Sequence, residues 1–111
     1  MTITHENYGH VTVLSLKGEF TADDVENFNR VTKERMTGDV RDFVVDLEKV
    51  PFVDSAALET LLALRNGAQE KLGMVKLAVP DENVRKILQI TRLDQQFETF
   101  SDLIESVKSF R

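Results

Sequence analysis

The sequence predicts an α/β fold built on a mixed sheet. Three observations carry that prediction. Apolar runs rich in β-branched residues recur along the chain, as "VTVLSLK", "DFVVDL" and "MVKLAV". Between them lie segments whose apolar residues fall at helical spacing, bounded by capping residues and by Gly or Pro stops. The run at 42–47 is almost unbroken, which suits a central strand covered on both faces. The order is β-β-α-β-α-β-α-β-α. For 111 residues this means one domain over 1–111, with a sheet of four to five strands, about four helices and right-handed crossovers.

Each element has its own local reason. "VTVLSLKG" places Val11, Val13, Ser15 and Lys17 on one side and Thr12, Leu14 and Leu16 on the other, and Gly18 ends it. "TITHE" before it reads as a short edge strand, with the turn at 7–9. A helix is expected from Thr21, a capping residue, with Asp23 and Asp24 in the first turn where the helix dipole favours negative charge. Val25, Phe28, Thr32 and Met36 follow at helical spacing, and Gly38 is expected to stop the helix. A second helix is expected over 55–72, with Leu58, Leu61, Leu62, Ala68 and Leu72 inward, Glu59, Arg65, Gln69 and Glu70 outward, and Gly73 as its stop. "MVKLAV" is a strand ended by Pro80, and a third helix begins near Asp81 with Val84, Ile87, Leu88 and Thr91 on one face. "QFETF" is expected as a short last strand. Ser101 is then expected to cap a fourth helix whose Leu103, Ile104, Val107 and Phe110 face in. Lys33, Arg35, Lys71 and Lys76 read as ordinary solvated charges.

Composition narrows the function. The formal charge is -5, which argues against a general binder of nucleic acid or anionic membrane, since both require a basic surface. A basic patch on a protein partner remains compatible. There is no cysteine, so disulfides and thiolate metal sites are excluded and a reducing cytoplasm is permitted. "MTITHENYGH" lacks the pattern of a secretory signal, and no apolar run approaches the roughly 20 residues that span a bilayer. A cytoplasmic protein without membrane insertion is the expectation. His5 and His10 read as surface residues, because no His/Cys/carboxylate cluster has ligand spacing. No glycine-rich phosphate loop and no G-x-S-x-G elbow occur. No catalytic residue, metal or cofactor is therefore expected. Asp46 reads as solvated or capping.

What remains is "VPFVDSAAL" at 50–58, where an apolar loop delivers Asp54 and Ser55 to the start of a Leu-rich helix. Ser and Asp are preferred caps, so one reading is purely structural. Val50, Pro51, Phe52 and Val53 either pack inward or rim a binding face. A helix N-terminus also presents N–H groups and the positive end of the dipole, so a phosphate on Ser55 can be held there without unfolding the domain.

This arrangement resembles the STAS domain of the bacterial anti-sigma factor antagonists. The matching residues are Asp46-Leu47 at the strand end, Phe52-Val53, Asp54-Ser55-Ala56 and Leu58. "LKGEF" is similar to the family's L-x-G-E-L segment at Leu16, Gly18 and Glu19, and the element order fits from end to end. The resemblance implies a non-enzymatic domain that binds a partner acting as both anti-sigma factor and serine kinase. Binding frees a sigma factor, phosphorylation of Ser55 releases the partner, and a phosphatase resets the switch. The implied partner surface comprises Asp54, Ser55, Ala56, Ala57, Glu19, Thr21 and Phe52. Two positions depart from the family: Ala57 stands where a glycine is usual, and Thr21 where an aspartate is frequent. The alternative within the same fold is a constitutive STAS subunit docked on an ATPase or stress-signalling assembly, with no phosphoserine switch. A nucleotide or small-molecule binder at the same helix end is a weaker third reading.

Overall fold

The computed structural model describes residues 1–36 and 40–110. Among them, β1 (Thr2–Tyr8), β2 (Val11–Lys17), β3 (Asp42–Lys49), β4 (Val75–Ala78) and β5 (Thr99–Phe100) form one five-stranded sheet in the order β1-β2-β3-β4-β5. β1 is antiparallel to β2, and the other neighbours are parallel. The helices are α1 (Val25–Arg35), α2 (Ser55–Glu70), α3 (Glu82–Ile90) and α4 (Leu103–Lys108), with 3-10 turns at Ala22–Asp24 and Leu93–Gln95. This is the mixed α/β architecture that the sequence predicts. Gly38, the expected stop of α1, lies outside the described residues.

Both faces of the central strands are covered, which explains their near-continuous apolar runs. On one face Leu14, Leu16, Phe43, Val45, Leu47, Val75 and Leu77 pack with Phe28 of α1, with Leu58, Leu61, Leu64 and Ala68 of α2, and with Val84 and Leu88 of α3. On the other, Val11, Val13, Val44 and Ala78 meet Leu103, Val107 and Phe110 at α4. The alternation in β2 therefore separates two covered faces and not an inside from an outside.

Several local expectations are corrected. The hairpin register pairs Tyr8 with Val11, so the turn is Gly9–His10 with Gly9 at φ 63°, and Asn7 stays in the strand. α2 ends two residues early. Leu72 adopts a left-handed φ of 64° and is 84% exposed, while the fully buried position one turn earlier is Ala68, with Leu64 buried a turn before that. Gly73 serves close approach: a Cβ there would sit 2.0 Å from the Arg41 carbonyl oxygen. In α3 Thr91 is exposed, its hydroxyl turned back to the Ile87 carbonyl. Asp102, not Ser101, caps α4, accepting the Glu105 N–H at 3.2 Å. Ile104 points away from the sheet at 64% exposure, and Ser106 occupies the buried position.

Lys76 is the largest correction. It is 3% exposed. Its Nζ donates to Ser109 Oγ at 2.8 Å, lies 3.3 Å from Glu98 Oε2 and stands 4.3 Å from the centre of the Phe110 ring. A lysine facing outward from a one-layer sheet would be solvated; here the end of α4 closes over it. Lys71 by contrast is exposed, and its Nζ donates to the Met36 carbonyl.

Candidate functional site

The site begins where β2 and β3 stop pairing as strands but keep running side by side. The Gly18 N–H donates to the Lys49 carbonyl at 3.0 Å, Phe20 N–H to Phe52 carbonyl at 3.0 Å, and Asp54 N–H to Phe20 carbonyl at 3.2 Å. Phe20 and Val53 form a parallel bridge. Both are anchored by burial, and the Phe20 ring lies 4.9 Å from that of Phe28. The apolar loop divides accordingly. Val50 and Val53 are buried, whereas Pro51 is exposed and Phe52 is 42% exposed.

Asp54 is the N-cap of α2 in extended geometry, with φ -97° and ψ -179°. Its Oδ1 accepts the Ala57 N–H at 2.9 Å, the local capping bond. Its Oδ2 accepts the Ala22 N–H, also at 2.9 Å. One carboxylate thus serves the first turns of two helical segments, where backbone N–H groups lack intrahelical partners. Ser55 is the first residue of α2 and is exposed. Among the described residues nothing is hydrogen-bonded to its hydroxyl. No acidic side chain follows in the first turn of α2.

The adjoining loop is ordered from within. Thr21 is extended, and its N–H donates to Asp24 Oδ2 at 3.0 Å. That bond is the first cause holding the Asp24 carboxyl below the usual carboxylate range. Partial burial opposes it, and the Met1 amino group, 3.3 Å from Oδ1, adds to it. Glu19 is exposed and Thr21 half-buried beside it.

The fold therefore brings Glu19, Thr21, Phe52, Asp54, Ser55 and Ala56 into two adjacent loops and one helix start. Ala57 differs. It is fully buried in the main core, so its methyl group is not part of the surface. Sequence reasoning missed the Ala22 amide and the buried Phe20 anchor. Their signal was the equal reach of "KGEFTA" and "KVPFVD" beyond paired strands. His5 and His10 are exposed on the hairpin, away from this end of the sheet, and among the described residues no group of three or more His, Cys, Asp or Glu could hold a metal ion. No described helix is long and apolar enough to cross a membrane.

The sequence model of the STAS domain family matches residues 2–106. The chain belongs to the STAS domain family. A STAS-domain containing protein of Pseudomonas aeruginosa is 34% identical over 90 residues, covering 81% of this chain and 88% of that protein. The Thermotoga maritima protein TM1081 superposes with a TM-score of 0.90 at 19% identity, covering 96% of this chain and 92% of that one. The anti-sigma factor antagonist SpoIIAA in its unphosphorylated form gives a TM-score of 0.86 at 21% identity, covering 99% and 96%. The phosphorylated form, from Bacillus, gives 0.78 at 20% identity, covering 99% and 100%. At these identities the likeness to the solved structures is one of fold: this STAS domain has the architecture of the anti-sigma factor antagonists.

Proposed function

We propose that this STAS domain is a regulatory protein-binding module of the partner-switching kind. In the unphosphorylated state, the surface around Ser55 binds an anti-sigma factor that is also a serine kinase, and a sigma factor is released. The kinase transfers the γ-phosphoryl group of ATP to Ser55 Oγ, ADP leaves, and the hydroxyl proton passes to a base of the kinase. The phosphorylated domain then dissociates, and a phosphatase hydrolyses the ester to restore the hydroxyl. The domain itself performs no catalysis in this scheme, and its place of action is the cytoplasm.

The observation that carries the reading is Ser55 itself: exposed, with an unengaged hydroxyl, at the first position of a helix whose cap is already supplied by Asp54. A serine needed for folding would be the cap; this one is left available. Phosphate would add roughly -1.5 to -2 charge at a helix N-terminus, which tolerates it, and beside Asp54, which does not. The effect falls on the docking surface, while the core beneath it is closed by Ala57, Leu58 and Val53. We take Glu19, Thr21, Phe52, Asp54, Ser55 and Ala56 as that surface, with Phe52 as its apolar contact.

The test is incubation with ATP and the cognate kinase, followed by mass spectrometry to place the phosphate. Phosphate at Ser55, together with partner binding retained by Ser55→Ala and lost by Ser55→Asp, is the expected result. No phosphate at Ser55 and no effect of either substitution on binding would overturn the proposal and favour a constitutively docked subunit.

A further inference from the structure

Asp54 is tied to two segments at once. Its Oδ1 holds the Ala57 N–H inside its own helix, and its Oδ2 holds the Ala22 N–H, 32 residues away in sequence, both at 2.9 Å. The first bond is an ordinary cap. The second does nothing for α2; it fixes the start of the Ala22–Asp24 turn against the start of α2. Below it, backbone bonds from Phe20 to Phe52 and from Asp54 to Phe20 hold the loops parallel, but these end at Phe20. Past Phe20, the hydrogen bond that ties Thr21–Ala22 to the start of α2 runs from the Ala22 N–H to the Asp54 carboxylate.

We propose that Asp54 is a positioning residue that joins the Glu19–Ala22 loop to the Ser55 end of α2 as one docking surface, and that phosphate on Ser55 loosens this joint. The second half rests on the phosphoserine reading above. Ser55 directly follows Asp54, so a phosphoryl group on its Oγ competes for the same N–H groups and repels the carboxylate that uses them. Of the two bonds, the one to Ala57 is enforced by the local cap geometry. The one to Ala22 spans two independently anchored segments and yields first. Phosphorylation would then alter both the charge of the surface and the placement of its neighbouring loop.

Amide hydrogen exchange by NMR tests this without any partner protein. Asp54→Asn is the selective variant. Asn caps about as well as Asp, but it keeps one acceptor oxygen and turns the other position into a donor, so it can satisfy Ala57 and not Ala22. In Asp54→Asn the Ala22 amide should exchange about tenfold faster, with Ala57 changed by less than about twofold. Phosphoserine installed at position 55 during synthesis should accelerate Ala22 severalfold in the native background and add nothing in the Asp54→Asn background, the signature of a shared link. Unchanged Ala22 exchange in Asp54→Asn would overturn the joint. Additive effects of the two changes, or a phosphoserine response confined to the first turn of α2, would overturn its coupling to Ser55. Because the phosphate is installed and not transferred by a kinase, these outcomes are distinguishable from failure of the kinase reading.

Discussion

Two glycines near the same helix should respond to alanine with opposite signs. Gly67 lies inside α2, and the nearest neighbour to an added Cβ is Met36 Cε at 4.0 Å, an ordinary contact. Alanine there gains helix propensity of about 0.8–1 kcal/mol over glycine. Gly73 lies past the helix end, and its Cβ would stand 2.0 Å from the Arg41 carbonyl oxygen and 2.7 Å from the carbonyl carbon. Neither atom can rotate away, so the two segments must part by about an ångström to restore an ordinary contact. The bonds holding them together are Met74 N–H to Asp42 Oδ1 and Phe43 N–H to the Met74 carbonyl, each 2.9 Å. Weakening them without breaking them costs about 0.5 kcal/mol apiece, and the overpacking itself about 1–3. Gly73→Ala should therefore lose about 2–4 kcal/mol. For a chain of this size that is a fall in Tm of about 8–16 °C, against a rise of about 3–4 °C for Gly67→Ala. Thermal melts followed by far-UV circular dichroism read both. A Gly73→Ala protein within about 2 °C of the parent would refute the close approach of the Gly73 turn to Arg41, and a lowered Tm for Gly67→Ala would refute the open space at α2.

Two further outcomes follow from buried or bonded charges. Lys76→Met keeps the stem against Phe110 and removes a desolvated ammonium, so it should stay within about 1 kcal/mol of the parent. Lys76→Ala should lose about 2–3 kcal/mol through the space left beneath α4, as measured by urea denaturation. The Asp24 carboxyl is held below its usual range in the folded state, first by the Thr21 N–H. Its contribution is therefore complete above the ordinary carboxylate pKa of about 3.9 and disappears as pH falls through the lowered folded value. The stability gap between the parent and Asp24→Asn should be widest near neutrality and shrink as pH drops below about 4; a gap independent of pH would show that the charge is not what matters there.

The fold was legible where local pattern and tertiary environment agree. The β3 run reads as a strand covered on both faces because it is one, and the starts of α2 at Asp54-Ser55 and of α3 near Asp81 were visible, where Asp54 and Asp81 prove to be the caps. Reading failed where a second layer changes the environment of a side chain. Nothing in "MVKLAV" distinguishes a solvated lysine from Lys76 under the end of α4, because the covering residues, Ser109 and Phe110, come more than thirty positions later. It also failed at helix ends, where one or two residues of backbone geometry decide exposure: Leu72 belongs to the α2 stripe by spacing but leaves it through a left-handed turn. At the site, the motif residues were legible and the Asp54–Ala22 bond was not, since a bond from side chain to backbone across 32 residues has no periodicity to betray it.

The two departures from the family pattern now separate. Glycine at a helix start can admit a partner closely, and Ala57 removes that freedom. In the fold its methyl group is fully buried in the core, and its N–H is already given to Asp54. Its replacement of glycine is thus a matter of packing beneath the site. Thr21 is the opposite case. It is half-buried at the edge of the exposed loop, its own N–H satisfied by Asp24, which turns that carboxylate inward. An aspartate at position 21 would put a second negative charge beside Asp24 and within reach of the proposed docking face, where threonine puts none. Under the proposed partner-binding role, threonine at position 21 therefore acts through the charge of the Glu19–Ala22 loop, the loop bonded at Ala22 to the Asp54 carboxylate, and not through the first turn of α2.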